Sequence, residues 1–178
     1  MNLRISNMTG KLQGFKAINT NTLTNEFCMK MSSSGLDEII CTKCYSVEML
    51  NGLRKSCVPS WQANSDILSN GLIPKHMLHN IINHNPHCTF AMWTKRKNLV
   101  YKFYDNHEKP SNLILIYSNP TIDKVMTDPP RLFDRTFNNV SKNSEVDQNC
   151  TGQKCKDCLL CYRHVKDQPI TQIVEAVK

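Results

Sequence analysis

The sequence predicts a small α/β fold with a mostly parallel sheet and a cysteine-rich, metal-binding C-terminal segment. Three observations carry this. Two apolar runs, CTFAMWT (88–94) and NLILIYS (112–118), have the length and continuity of buried strands. Each follows an amphipathic stretch, giving the helix–strand–helix–strand order of a parallel layer. Four cysteines then crowd into CTGQKCKDCLLCYRH (150–164).

The elements follow in order. The first 22 or so residues form a turn-rich lead-in with a strand near Gly14 to Asn19, and SSSGLDE (32–38) is a loop. YSVEMLNGLRK (45–55) is helical, with Val47, Leu50 and Leu53 inward. Pro59 starts a further helix, with Trp61, Ile67 and Leu68 facing the core, that Gly71 ends. From Ile73 to His84, residues Met77, Leu78, Ile81 and Ile82 share one arc, with His76, His79 and Asn83 opposite; Pro86 stops that helix. Thr94 caps a helix through Leu99, Val100 and Phe103. After Pro120 few apolar residues remain, and TIDKVMTDPPRLFDRTFNNVSKNSEVDQN is an irregular segment. TQIVEAVK closes the chain as a short strand. Residues 1–120 are thus expected to form the α/β core with an N-terminal cysteine group. Residues 121–178 are expected to pack on it within one domain.

The 178 residues carry 40% hydrophobic and 7% aromatic side chains, which excludes global disorder and implies a modest core. The N-terminus MNLRISNMTGKLQG lacks an apolar signal core, and no run has the length of a membrane span. The expectation is a cytoplasmic, soluble protein without a membrane partner. The formal net charge of +7 permits nucleic acid or another anionic partner without establishing one.

Nine cysteines, an odd and clustered set in a reducing compartment, point to metal before disulfide. Cys150, Cys155, Cys158 and Cys161 are spaced x4, x2, x2. Zinc sites usually place two pairs across a longer loop. Consecutive x2 intervals are closer to ferredoxin spacing, so an iron–sulfur cluster is favoured over zinc. Cys41 and Cys44 form C-x2-C, with Cys28 upstream, as a second candidate metal group; a single site joining both groups also fits. His164 is a further candidate ligand. Cys57 and Cys88 are expected as packing residues, and His76 and His79 as part of a solvated helix face. WTKRK (93–97) lies at a strand-to-helix turn, where the carboxyl rim of a parallel layer takes ligands. Lys95 and Arg96 there, with Tyr117, Ser118 and Asn119 on the same rim, form a candidate anion or cofactor site, an exposed basic turn being the other reading.

The order CTKCY, a helical region, NPHCTFAMWTKR, NLILIYS and CTGQKCKDCLLCY resembles the phage and prophage proteins grouped as gene product eighty-eight. That family in turn resembles degenerate radical-SAM proteins. The resemblance implies a phage-encoded protein in a host cell and a partial (β/α) barrel or open sheet. It also implies a 4Fe–4S cluster with Cys41 and Cys44 as ligands and Cys28 as a displaced one. The C-terminal four would hold an auxiliary cluster, and S-adenosylmethionine would be the co-substrate. Twelve residues separate Cys28 from Cys41 where the radical-SAM motif has three, and no strand resembling FRWHSSGD precedes the third helical region. The other function class is a non-catalytic, zinc- or cluster-stapled interaction protein that binds nucleic acid or a host factor.

Overall fold

The computed structural model describes residues 5–18, 22–52 and 75–177. The helix expected from Pro59 to Gly71, and Leu53 and Cys57, lie outside the described residues. The chain divides into two compact units, residues 1–78 and 79–178.

In the first unit, strands β1 (Ser6–Asn7) and β2 (Lys16–Ala17) pair antiparallel, Ser6 opposite Ala17. The turn between them uses Gly10 and Gly14 at φ 63° and 98°, a region other side chains resist. Helix α1 (Glu26–Ser32) starts at Asn25, whose Oδ1 accepts the Cys28 N–H at 3.2 Å. The SSSGLDE segment follows as turn and bend. A 3-10 turn at Ile40–Lys43 leads into helix α2 (Tyr45–Asn51), whose Leu50 is buried.

The second unit is built on an open sheet of four parallel strands. Helix α3 (Lys75–Asn83) leads into it. Asn112 holds the turn after α3: its side-chain amide donates to the carbonyls of Ile82, Asn85 and Cys88 at 3.0–3.1 Å. Strand β3 (Phe90–Thr94), helix α4 (Lys97–Tyr104) and strand β4 (Leu113–Ser118) then form the expected β–α–β unit. Strands β5 (Arg135–Val140) and β6 (Gln172–Ala176) complete the order β3-β4-β5-β6, every neighbour parallel. The single helical turn α5 (Cys155–Cys158) lies in the crossover between them. The sheet is not a closed barrel.

Strand β4 is central, so its apolar run is buried on both faces from Leu113 to Tyr117. Strand β3 is the edge. It is only half-buried, contrary to the expected buried strand, and Trp93 is 38% exposed. Strand β5 overturns the irregular reading of 121–149. Its sequence, RTFNNV, hides three polar side chains beside the apolar Val140: Arg135, Thr136 and Asn138 have no exposed surface. The polar atoms of Thr136 and Asn138 are met by the preceding loop, and Nε and Nη2 of Arg135 by the carbonyls of Ile170 and Gln168. Asn138 Oδ1 accepts the Met126 N–H at 2.9 Å and the Asn119 amide at 3.1 Å, while Thr136 Oγ1 donates to the Met126 carbonyl at 2.7 Å.

Three expectations at the single-residue level change. His79 leaves the solvated face and packs edge-on against Phe103, Tyr104 and His107, while His76 stays exposed. Cys88 precedes the strand in an exposed turn rather than packing within it. Thr94 does not cap α4; its hydroxyl accepts the Arg96 N–H at 3.0 Å within the tight turn before the helix.

Candidate functional site

Register sets the ground on which the C-terminal cysteines lie. Trp93 pairs with Ile116, and Ile116 with Arg135, forming one row across three strands. Side chains alternate along strands, so this row shares a face. Tyr162, the residue after Cys161, meets the Trp93 ring edge-on at 5.5 Å.

Each thiol is placed by backbone that has its own reason to be there. Residues 148–150 run along the outer side of β6. The Cys150 N–H donates to the Val174 carbonyl at 3.0 Å, and Asn149 brackets the same strand, accepting the Val174 N–H at 2.9 Å and donating to the Gln172 carbonyl at 2.9 Å. Gly152, at φ 97°, turns the chain away. Gln153 braces that turn: its Oε1 accepts the Thr151 N–H at 2.7 Å, and its Nε2 reaches the Asn149 carbonyl at 3.0 Å and Cys158 Sγ at 3.5 Å. Cys155 and Cys158 bound the single turn α5. Leu159 then adopts a left-handed conformation, φ 56°, and its N–H closes onto the Cys155 carbonyl at 2.8 Å. A leucine in this region costs roughly 1 kcal/mol. The burial of Leu160, 5% exposed, offsets that cost.

Cys161 is the electrostatic focus. Its thiol is pushed up to about 12, first by burial and then by the thiols of Cys150, Cys155 and Cys158; the Arg135 guanidinium opposes the shift. Burial, with Cys155 and Cys161 beside it, also raises the Tyr162 hydroxyl. The four sulfurs are therefore close enough for each charge to be felt at Cys161. They are not drawn to a common centre: among the described residues, no group of three or more His, Cys, Asp or Glu side chains is placed to hold a metal ion. None of the eight described cysteines is in a disulfide. His164 contributes its carbonyl to the next turn, accepting from the Asp167 and Gln168 N–H groups at 3.0 Å.

In the first unit, Cys28 lies on α1, Cys41 in the 3-10 turn and Cys44 at the N-cap of α2, all half-buried. Helix α1 packs on the 3-10 turn, so the elements that carry Cys28 and Cys41 are neighbours.

At the carboxyl rim of the sheet, the structure brings Lys95 and Ser118 together: the ammonium donates to the hydroxyl at 3.1 Å. Tyr117 and Asn119, expected on the same rim, are instead buried. Asn119 is spent on Thr121, Lys124 and Asn138, and Tyr117 packs on Phe133 with the Lys97 ammonium over its ring at 5.7 Å.

Sequence reasoning missed Arg135 and Gln153. No spacing or apolar periodicity marks either.

The family described as Gene product 88 matches residues 47–149, more than half of the chain. The chain belongs to the Gene product 88 family. The matched span covers strands β3 to β5 with Lys95, Ser118 and Arg135; both cysteine groups lie outside it. No curated protein and no solved structure matches the chain. Among the described residues, no helix is long and apolar enough to cross a membrane.

Proposed function

We propose that this Gene product 88 protein binds an iron–sulfur cluster through Cys150, Cys155, Cys158 and Cys161. The observation that carries the reading is the gathering of the four cysteines into one short crossover whose turns are braced by Asn149 and Gln153. Thiolates held in one short crossover repel one another, and a bound cation relieves that repulsion. Soft sulfur ligands select iron–sulfur clusters or zinc, and the x4, x2, x2 spacing favours the cluster. The Gln153 amide at Cys158 Sγ is the kind of outer contact that orients a ligand and tunes a cluster. A bound cluster supplies one-electron chemistry; the chain supplies the turn, the braces and the partly buried setting.

Anaerobic purification followed by iron, sulfide and zinc analysis tests this. Brown protein with iron and inorganic sulfide in equal amounts supports it. Colourless protein with stoichiometric zinc replaces it with a zinc-stapled interaction protein, for which the net charge of +7 makes nucleic acid the partner to try first, by a salt-sensitive mobility shift. Protein that takes up neither metal on reconstitution overturns both.

A catalytic reading, radical-SAM-like as the sequence resemblance implies, is favoured by one contact: Lys95 and Ser118 present a cation and a hydroxyl at the rim where anionic ligands dock. Cys28, Cys41 and Cys44 would then ligate a second cluster. Formation of 5′-deoxyadenosine and methionine from S-adenosylmethionine by the iron-loaded protein, with dithionite as the electron donor, lost in Cys44→Ala, tests it; no 5′-deoxyadenosine from the reduced protein ends it.

A further inference from the structure

Trp93, on the edge strand β3, keeps 38% of its surface exposed, although tryptophan is highly buried on average. Tyr162 meets its ring edge-on at 5.5 Å, so the exposed ring belongs to a fixed aromatic pair. Ile116, opposite Trp93 in β4, stands two residues before Ser118. Side chains alternate along a strand, so Trp93 and Ser118 share a face, about 7 Å apart in the strand direction. Lys95, two residues beyond Trp93, reaches the same end: its ammonium donates to Ser118 Oγ at 3.1 Å. That hydroxyl is neutral, and the ammonium meets no carboxylate among the described residues. From His79 to Tyr104 the sequence holds four lysines or arginines and no acid.

An exposed ring therefore lies beside a cation and a hydroxyl that have no anion of their own. A nucleotide has the complementary parts: a base with a π-face, and phosphate oxygens one sugar away that accept from N–H and O–H donors. We propose that this end of the β3–β4 face is a docking surface for single-stranded nucleic acid. One base stacks on the Trp93 ring beside Tyr162, and Lys95 and Ser118 hold the phosphate joined to it. A duplex keeps its base faces stacked on one another, so the unpaired strand is the form that fits. Stacking accepts any base, so the surface reads the strand without a sequence preference. The proposal does not rest on the metal-centre reading above.

The full-length protein is titrated into fluorescein-labelled oligothymidylate and oligouridylate, beside a duplex of equal length, and anisotropy is read across a salt series. At least one single strand is expected to bind more tightly than the duplex and to weaken as salt rises. Trp93→Ala is expected to lose roughly 5- to 150-fold in affinity, the range for one lost base stack, and Trp93→Phe, which keeps a stacking face, to recover most of it. Lys95→Ala is expected to reduce the salt slope by about 0.7, one phosphate contact on a single strand. Lys142→Ala removes an equal charge from an exposed turn after β5 and is expected to change neither affinity nor slope. Wild-type protein that binds no single strand, or binds the duplex as tightly, overturns the proposal. So does a folded Trp93→Ala with unchanged affinity, or a mononucleotide that competes as well as the strand. If Trp93→Ala does not fold, Lys95→Ala against Lys142→Ala decides: a reduced slope in the first alone supports the surface, and equal behaviour overturns it.

Discussion

Strands β4 and β5 lie side by side in one sheet and are buried by opposite means. LILI in β4, residues 113–116, needs no partner for its side chains; water exclusion alone favours its central position. RTFNNV in β5 places a guanidinium, a hydroxyl and an amide in the same interior, and each must be met by a specific group. Those groups come from segments without regular structure: the 119–126 loop meets Thr136 and Asn138, and the 168–170 return meets Arg135. The amino-terminal half of the sheet is thus set by hydrophobicity. Strand β5 is set largely by hydrogen bonds reaching out of irregular chain.

Paired substitutions give the largest test of that contrast. Leu115→Ala in β4 is expected to cost roughly 2–5 kcal/mol through lost burial and the cavity left behind. Asn138→Leu, close in volume and more apolar, is expected to cost roughly 2–4 kcal/mol, because the Met126 N–H and the Asn119 amide lose their acceptor. Chemical denaturation checks both. A neutral or stabilised Asn138→Leu would show that β5 is held by burial like its neighbour, and the contrast would collapse.

Alkali offers a second test, in metal-free protein. Cys161 is raised from 9.0 to about 12, and burial raises Tyr104 from 10.0 to about 12. Both folded values lie above the unfolded ones, so the neutral forms stabilise the fold below about pH 9 and that contribution is lost as pH climbs toward 12. Stability is expected to be level from neutral pH to about 9 and to fall above it. Cys161→Ser should flatten the part beginning near 9, and Tyr104→Phe the part beginning near 10. An alkaline limb that neither substitution alters would place its origin elsewhere.

The smallest effect is expected at Arg131–Asp105. The pair is 2.7 Å apart, but its side chains are 62% and 52% exposed. Asp105→Asn should shift the denaturation midpoint by no more than about 0.5 kcal/mol.

The same contrast explains which parts of the molecule could be read from residues alone. β3, α4, β4 and β6 announce themselves because apolar periodicity is a direct record of burial. β5 does not: Asp134, Arg135, Asn138 and Asn139 have the composition of a loop, and only tertiary hydrogen bonds make them a strand. The cysteine spacing was legible, as was the meeting of Lys95 with Ser118, since both follow from strand ends in a parallel layer. The burial of Tyr117 and Asn119 was not, because it depends on where the 119–126 loop folds back. Arg135 was illegible for the same reason: a charged residue in sequence reads as surface until its partners are known.

Asn149 has a wider consequence. A bare sheet border invites a strand from a neighbouring molecule, and proteins obstruct such borders to stay apart in solution. Here the obstruction is an amide side chain posing as peptide, stationed one residue before the first clustered sulfur. Whatever keeps that crossover seated therefore also covers the free border of β6.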